Sequence, residues 1–263
     1  MDTRRTLLVD AFTVEPLAGN AAGVVPDAEE LSPDQMAAVA AELAVSETAF
    51  LLPSEDADRR LRYFSPTQEV DLCGHATIAA HAHLHEAGEI DPGDHTVETN
   101  VGVLDIAVDD NGTVWMTQND PEIRRVDADY DRFGGALGID PAALRDVGAE
   151  LPVAVASTGL PFVMMPVNFF EHLSAADPDH DALEALADEH DAAGVYAFSF
   201  DVLAADSTLH ARAFAPGLGI REDPVTGTAA SACGAYLREV SAFDGEFPDE
   251  MVFEQGHFLD RPG

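Results

Sequence analysis

Two short stretches decide the fold of this chain: DLCGHAT at residues 71–77 and EDPVTGT at residues 222–228. Each leads into a run of small apolar residues that predicts a helix buried on all sides, because such a run has few charges to expose. The two stretches are similar, since CGHA in the first aligns with TGTA in the second. The segments before them also match, RYFSP at residues 62–66 and RAFAP at residues 212–216. The pattern therefore predicts a duplication in which strand, loop, glycine and helix occur twice.

A glycine stands at the start of each predicted helix, Gly74 in the first copy and Gly227 in the second. A glycine lets a ligand approach the backbone closely, and the exposed N–H groups and the helix dipole attract an anion. A packed turn without function would contain the same short motif, but its duplication favours the functional interpretation. We therefore predict that both helix starts bind one carboxylated molecule in a cleft between two similar halves.

The charge of the chain narrows the classes of partner. The formal net charge is −36, and all 13 basic residues are arginine. Nucleic acid and anionic membrane are poor partners for such a surface. The acidic residues are spread along the chain, which is typical of a solvated coat on a folded protein rather than of an acidic tail. We predict a halophilic protein that needs molar salt, where the Debye length is about 3 Å.

Cysteine usage and hydropathy indicate the compartment. Cys73 and Cys233 are the only cysteines, so a secreted disulfide framework is not expected. No stretch approaches the roughly 20 apolar residues of a membrane span, and the first residues do not resemble a signal peptide. These observations predict a cytoplasmic protein.

The order of predicted elements indicates an α+β fold. Ser32 before Pro33 is typical of a helix start, and Asn111-Gly112 predicts a hairpin turn. We predict two β-rich halves, residues 1–120 and 121–263, each a curved sheet or barrel around its own central helix, with a linker at about residues 121–128. Comparison of the halves predicts further strands after residue 254, so we expect a disordered, truncated or lost C-terminal segment.

Glu47 is the strongest candidate for catalysis, because it lies in the apolar run of residues 44–52, where we predict a strand from Ser46 to Leu52. Burial disfavours a charged carboxylate, so Glu47 could hold a proton near neutral pH and act as an acid and then as a base. The alternative is that Glu47 lies on the exposed face of an edge strand, where charged residues are common.

The candidate loops contain three further polar residues. Asp223 precedes Pro224, so it either forms a turn or acts as a second proton carrier. His75 either binds substrate through its ring, which can donate or accept near neutral pH, or fills the start of its helix. Thr228 either caps its helix or binds substrate, and the two roles are compatible.

Other candidate chemistries are less well supported. Thr226 stands opposite Cys73 in the duplication, so a racemase mechanism with two thiols is not expected. Cys73 is therefore interpreted as a small packing residue. His81, His83 and His85 share one predicted helix. His81 and His85, four residues apart, could bind a metal ion together, but such a site needs a third ligand, and no matching carboxylate motif lies nearby. We predict no metal, and the chain contains no glycine-rich nucleotide loop that would indicate a cofactor.

The motifs together resemble the phenazine-biosynthesis isomerase-like (PhzF) family and, more distantly, diaminopimelate epimerase. The matching stretches, which occur in the family order from end to end, are VDAFT (9–13), PLAGN (16–20), SETAF (46–50), RYFSP (62–66), LCGHAT (72–77), RAFAP (212–216), EDPVTGTAA (222–230), EQG (254–256) and Arg261-Pro262.

The resemblance implies two pseudo-symmetric diaminopimelate-epimerase-like domains in a homodimer. It also implies cofactor-independent acid–base isomerisation of a small carboxylated substrate, with Glu47 as the main proton carrier. Asp223, His75 and Thr228 match pocket residues of the family. The backbone N–H groups of Gly74-His75 and Gly227-Thr228 would hold the substrate carboxylate.

Three functions remain open from the sequence. The first is an isomerase that moves a proton within its substrate. The second is an epimerase or racemase of an amino or hydroxy acid, with Glu47 and Asp223 as unequal bases. The third is a non-catalytic protein that binds a small molecule on the same fold, because a fold does not determine function.

Overall fold

The computed structural model describes residues 3–147, 150–243 and 246–263. The chain divides into two compact units, Met1–Thr117 and Gln118–Gly263, close to the predicted division at residue 120. Among the described residues, every helix is too short or too polar to cross a lipid bilayer.

The N-terminal unit is an eight-stranded sheet with two helices. Its elements are β1 (Leu7–Ala11), β2 (Asn20–Val25), α1 (Pro33–Leu43), β3 (Thr48–Leu52), β4 (Arg59–Phe64), β5 (Glu69–Val70), α2 (Gly74–Glu86), β6 (Gly93–Thr99), β7 (Gly102–Val108) and β8 (Val114–Met116). Neighbouring strands follow the order β1-β2-β3-β4-β6-β7-β8, and β5 pairs with β4. Strands β1 and β8, at the two ends of this order, both contact α2, so the sheet curls around that helix.

Side chains of β3 alternate between two apolar layers, as the period of a strand requires. Ala49 and Leu51 belong to the core around α2. Phe50 points to the opposite layer, where it meets Met36 of α1. The helix α1 begins at the predicted cap, since the Ser32 side chain and Gln35 form a capping box. Strand β3 is thus a central strand covered on both faces.

The C-terminal unit contains a seven-stranded sheet and five helices among its described residues. Its elements are β9 (Glu122–Arg125), α3 (Tyr130–Leu137), α4 (Ala142–Arg145), β10 (Ala154–Ser157), β11 (Phe162–Pro166), α5 (Phe170–Ser174), α6 (His180–Glu189), β12 (Gly194–Ser199), β13 (Leu209–Ala215), β14 (Ile220–Asp223), α7 (Gly227–Glu239) and β15 (Phe253–Glu254). Neighbouring strands follow the order β14-β13-β12-β11-β10-β9, and β15 pairs with β13. Two 3₁₀ turns cover Pro216–Leu218 and His257–Leu259.

The two units repeat one topology. In the first, β2 pairs in parallel with β3, and β4 pairs antiparallel with β5 and in parallel with β6. In the second, β11 pairs in parallel with β12, and β13 pairs antiparallel with β14 and in parallel with β15. Helix α7 packs on β10 and β11 with Ala229, Ala232 and Cys233 fully buried. The predicted α+β fold of two pseudo-symmetric domains, each with a sheet around an apolar helix, is confirmed.

Two local predictions are wrong. The predicted linker at residues 121–128 contains β9, which pairs with β10 at the edge of the sheet. Its charged residues concealed the strand, but an edge strand tolerates charge, and the Arg124 guanidinium donates a hydrogen bond to the His190 carbonyl (2.7 Å). The strand predicted from Ser46 begins only at Thr48, so Glu47 precedes it.

The end of the chain folds back on itself. The Gln255 N–H donates to the Gly263 carbonyl (3.0 Å), and the Gly263 N–H donates to the Gln255 carbonyl (3.1 Å). Gly256 has a φ of 82°, and a β-carbon there would lie 2.2 Å from the Arg261 carbonyl oxygen. Glycine is therefore required at this turn. The further strands expected after residue 254 stay a prediction.

Candidate active site

Glu47 lies in the bend between α1 and β3. Its backbone carbonyl accepts a hydrogen bond from the Gly23 N–H (3.0 Å), at the point where β2 and β3 begin to pair. The side chain is only 20% exposed. This position differs from the exposed face of an edge strand, because the strand that follows Glu47 is central and the carboxylate is mostly buried. The bend fixes the backbone of Glu47 while its side chain keeps some access to solvent.

The ring of His75 lies beside Glu47, at the start of α2. The distance from His75 Nε2 to Glu47 Oε2 is 3.6 Å, and Ser46 Oγ lies 3.3 Å from the same nitrogen. On the other side of the ring, Cys73 Sγ lies 3.3 Å from His75 Nδ1. One imidazole therefore bridges a thiol and a carboxylate that the sequence separates.

Burial determines the protonation of this histidine. Desolvation lowers the pKa of His75 from its ordinary value, and the negative charge of Glu47 partly opposes that shift. The ring is therefore neutral near neutral pH, with a donor on one nitrogen and an acceptor on the other. With the proton on Nε2, His75 can orient Glu47 or a substrate oxygen without competing with Glu47 for the same proton.

The start of α2 has no side-chain cap among the described residues. Cys73 occupies the N-cap position without a capping hydrogen bond, whereas Ser32, Asp129 and Asp179 cap α1, α3 and α6. A β-carbon added to Gly74 would meet no atom within 4 Å. Packing therefore does not require glycine there, and the Cys73 side chain does not cap the first-turn N–H groups, which are the groups that bind anions at helix starts.

The second candidate loop is held by a compact network within the C-terminal unit. The Thr226 hydroxyl donates to Asp223 Oδ2 (2.6 Å), and the Gln255 amide donates to the Asp223 carbonyl (2.7 Å). The Thr226 N–H donates back to Gln255 Oε1 (3.3 Å). Asp223 is thus the last residue of β14, and these hydrogen bonds hold it in place.

Gly227 and Thr228 are the first residues of α7, where the sequence placed them. Thr226 is the N-cap residue, but no side-chain cap is formed, because its hydroxyl bonds Asp223 instead. The Thr228 carbonyl accepts a hydrogen bond from the Thr158 hydroxyl (3.3 Å). Each candidate loop therefore leads into a long helix whose first turn has no side-chain cap among the described residues.

Sequence reasoning missed several contacts of these sites. The sequence predicts Ser46 only as part of a strand and Gln255 only as part of a motif. Cys73 was interpreted as packing, although its sulfur contacts the His75 ring. The adjacency of Ser46 to Glu47 was the available signal for the first contact. The others depend on loops that are distant in sequence.

The histidines of α2 do not form a shared site in the structure. His81 is fully buried and its Nδ1 donates to the Thr77 carbonyl (2.8 Å). In the part of the chain that the structure describes, one group has the composition and spacing to hold a metal ion. It consists of Glu47, Cys73 and His75, whose ligand atoms lie within 4.8 Å of one another.

Comparison with known proteins identifies the family. The sequence model of the family described as Phenazine biosynthesis-like protein matches residues 9–263. The chain is 33% identical over 268 residues to the Bacillus subtilis (strain 168) protein named Uncharacterized isomerase YfhB, and the match covers 100% of the chain and 89% of that protein. It is 30% identical over 267 residues to the trans-2,3-dihydro-3-hydroxyanthranilate isomerase of Pseudomonas fluorescens, with 97% and 87% covered.

Solved structures agree with this relationship. A PhzF-family phenazine biosynthesis protein of Bacillus anthracis superposes with a TM-score of 0.91 at 32% identity, covering 100% of the chain and 89% of that protein. A hydroxyproline epimerase of Agrobacterium vitis superposes with a TM-score of 0.54 at 17% identity, covering 96% and 82%, which shows a shared fold alone.

The chain belongs to the Phenazine biosynthesis-like protein family. The predicted resemblance to the PhzF family is confirmed, and so is the prediction of an enzyme of the isomerase class. The comparisons extend over nearly the whole chain, so they include both candidate loops.

Proposed function

We propose that this protein is a cofactor-independent isomerase that moves a proton within a small carboxylated substrate. The observation that carries the proposal is the juxtaposition, in the N-terminal unit, of the largely buried Glu47 carboxylate, the neutral His75 ring and the uncapped start of α2. A base, a donor for developing negative charge and a site for a carboxylate are the groups that such a reaction requires.

In the proposed reaction, the Glu47 carboxylate removes a proton from a carbon next to an unsaturated system. The C–H electron pair enters that system, the double bond shifts, and the same carboxyl group returns the proton to another carbon. The substrate gains and loses no atoms or electrons, so no oxidant or reductant is needed. Backbone N–H groups at Gly74 and His75 bind the substrate carboxylate and stabilise the negative charge that develops.

The second loop has a corresponding proposed role. Asp223 is a second proton carrier, and the N–H groups of Gly227 and Thr228 bind an anionic group of the substrate. The hydrogen bond from the Thr226 hydroxyl to Asp223 Oδ2 supports this proposal, because it holds the Asp223 carboxylate in one orientation.

One relative suggests the first substrate to test. The Pseudomonas fluorescens relative is named for isomerisation of trans-2,3-dihydro-3-hydroxyanthranilate, a cyclic carboxylated molecule. This compound and a panel of cyclic and acyclic carboxylic acids are incubated with the protein in heavy water and molar potassium chloride. Mass spectrometry measures deuterium uptake, and nuclear magnetic resonance measures migration of the double bond.

The decisive variant is Glu47→Gln, which keeps the size of the side chain and removes the base. We expect turnover to fall by roughly 10²–10⁴-fold, while circular dichroism shows an unchanged fold. Glu98→Gln is the matched control, because the Glu98 side chain is 21% exposed in the same unit and pairs with Arg60 instead. We expect that control to retain turnover.

Other outcomes would contradict the proposal. Equal turnover of wild type and Glu47→Gln would exclude Glu47 as the proton carrier. A ligand that binds the uncapped helix start without any exchange or rearrangement would indicate a binding protein. Inversion of a stereocentre without migration of a double bond would indicate an epimerase.

A further inference from the structure

Glu47, Cys73 and His75 offer three different metal ligands in one place. The thiol sulfur, an imidazole nitrogen and a carboxylate oxygen lie within 4.8 Å of one another. We propose that these three residues form a reversible binding site for a thiophilic divalent cation of the Zn²⁺ type, and that the bound cation inhibits the enzyme. The inhibitory part of this inference rests on the proposed function of Glu47.

The spacing of the ligand atoms suits a tetrahedral ion. Bond lengths of about 2.0–2.3 Å place the ligands of tetrahedral zinc roughly 3.5 Å apart. Cys73 Sγ and His75 Nδ1 are separated by 3.3 Å, and Glu47 Oε2 and His75 Nε2 by 3.6 Å. These two distances involve different nitrogens of the ring, and a bound ion would use one of them. With one ligand atom from each residue the three lie within 4.8 Å of one another, so the most distant ligand would move closer on binding, with water in the fourth position.

The chemistry of the ligands selects the class of cation. Thiolate and imidazole are preferred by Zn²⁺ and related transition metals, whereas Mg²⁺ and Ca²⁺ prefer oxygen ligands alone. Cysteine binds such cations as its thiolate, and metal binding releases the thiol proton. A thiolate and a carboxylate together balance the charge of a divalent cation. Alkali and alkaline-earth ions in a saline compartment are therefore poor competitors for this site.

The second loop provides an internal comparison. Thr226 and Thr228 stand where the first loop has Cys73 and His75. Neither threonine is a good ligand for a transition metal, and no further group of this kind occurs among the described ranges 3–147, 150–243 and 246–263. The backbone of such a loop thus does not itself require cysteine and histidine. The metal-ligating character belongs to the N-terminal copy.

Occupancy of this site would have a direct consequence for catalysis. A carboxylate oxygen coordinated to a cation cannot serve as the base for a substrate C–H group. The cation would also occupy space at the start of α2, where the substrate carboxylate is proposed to bind. Inhibition should therefore be competitive with substrate and reversible by a chelator.

Cobalt provides a spectroscopic test that does not depend on activity. The full chain, made metal-free and kept reduced by a non-chelating phosphine in molar potassium chloride, is titrated with Co²⁺ and then with Zn²⁺. We expect one Co²⁺ per chain, a sulfur-to-cobalt charge-transfer band and visible bands typical of tetrahedral coordination. Zn²⁺ should remove these bands by displacement, and a large excess of Mg²⁺ should not.

Variants identify the ligands. Cys73→Ser should abolish the charge-transfer band and weaken Zn²⁺ binding by roughly tenfold or more, with the fold checked by circular dichroism. Cys233→Ala is the matched control, because Cys233 is the other buried cysteine and lies in α7. We expect that control to keep both the band and the affinity. His75→Gln should weaken binding independently of the thiol.

The outcomes separate this inference from the proposed function. Equal Zn²⁺ affinity of wild type and Cys73→Ser, or binding of many ions without a charge-transfer band, would overturn the site and indicate weak binding to the acidic surface. Binding of one ion with unchanged turnover at saturation would refute inhibition. The cobalt spectrum remains informative if no substrate is turned over, so failure of the proposed isomerase activity would be recognised separately.

Discussion

The buried ring of His81 makes the stability of the N-terminal unit dependent on pH. His81 is fully buried in α2, and its Nδ1–H donates to the Thr77 carbonyl (2.8 Å). Its Nε2 is buried and has no hydrogen-bond partner among the described residues. Burial is the main reason that the pKa of His81 falls from 6.5 to about 4, with the positive charge of Arg59 contributing in the same direction.

The sign of the effect follows from proton binding. Above pH 6.5 the ring is neutral in both the folded and the unfolded chain. As the pH falls, the unfolded chain binds a proton first, and the folded chain binds one only near a pKa of about 4. The stability present above pH 6.5 is therefore lost progressively toward pH 4. The two pKa values give a loss of about 2 kcal/mol between pH 7 and pH 5, and about 3 kcal/mol in full.

Urea unfolding at pH 7 and pH 5, in molar potassium chloride, measures this loss. Trp115, the only tryptophan, lies on β8 of the same unit, so its fluorescence reports on the unfolding of that unit. His81→Leu introduces a good helix former and removes the titrating ring. We expect the drop in unfolding free energy between the two pH values to be smaller in this variant by about 2 kcal/mol.

The control for this experiment is His85→Gln, which removes a partly exposed histidine from the same helix. It should retain most of the pH dependence of the wild-type protein. If His81→Leu and wild type lose the same free energy between pH 7 and pH 5, the ring of His81 does not resist protonation, and the reasoning is refuted.

Two further predictions concern the charges of the fold. Glu222→Gln should lower the unfolding free energy of the C-terminal unit by about 3–5 kcal/mol, because its partner Arg212 is only 7% exposed in the side chain. The corresponding Glu69→Gln should lower the unfolding free energy by only about 1 kcal/mol or less, because the Arg62 and Glu69 side chains are 20% and 30% exposed. Thermal unfolding of both variants measures the difference, and equal losses of unfolding free energy would contradict the prediction. Transfer from molar to low salt should unfold the protein, because its net charge is −36 and screening is lost; unchanged circular dichroism in low salt would argue against a halophilic protein.

Much of the architecture could be predicted because its signals are local. The cap at Ser32 and the hairpin at Asn111-Gly112 depend on neighbouring residues, and the structure contains both α1 and the β7–β8 connection. The duplicated loop pattern also predicted the start of α7 at Gly227. Strand β9 was missed, because charged edge residues lack the apolar alternation by which strands are recognised.

The candidate site could be predicted only in part. Glu47 was selected by the apolar residues around it and by family resemblance, and both signals are present in the sequence. The contacts that Glu47 and Ser46 make with the His75 ring could not be predicted in this way. Ser46 and His75 are 29 residues apart in the sequence. Likewise, Gln255 reaches Asp223 across 32 residues. These contacts form only when the curled sheets pack on α2 and α7.

The sequence by itself determined the composition of each half: a sheet, a small-residue helix, a glycine at its start and an acidic surface. Those features follow from side-chain size, local turn chemistry and charge, which act over a few residues. The tertiary structure decided which polar groups meet. It placed the imidazole of His75 between Cys73 and Glu47, because the bend before β3 and the start of α2 are brought together by burial of the helix against the sheet.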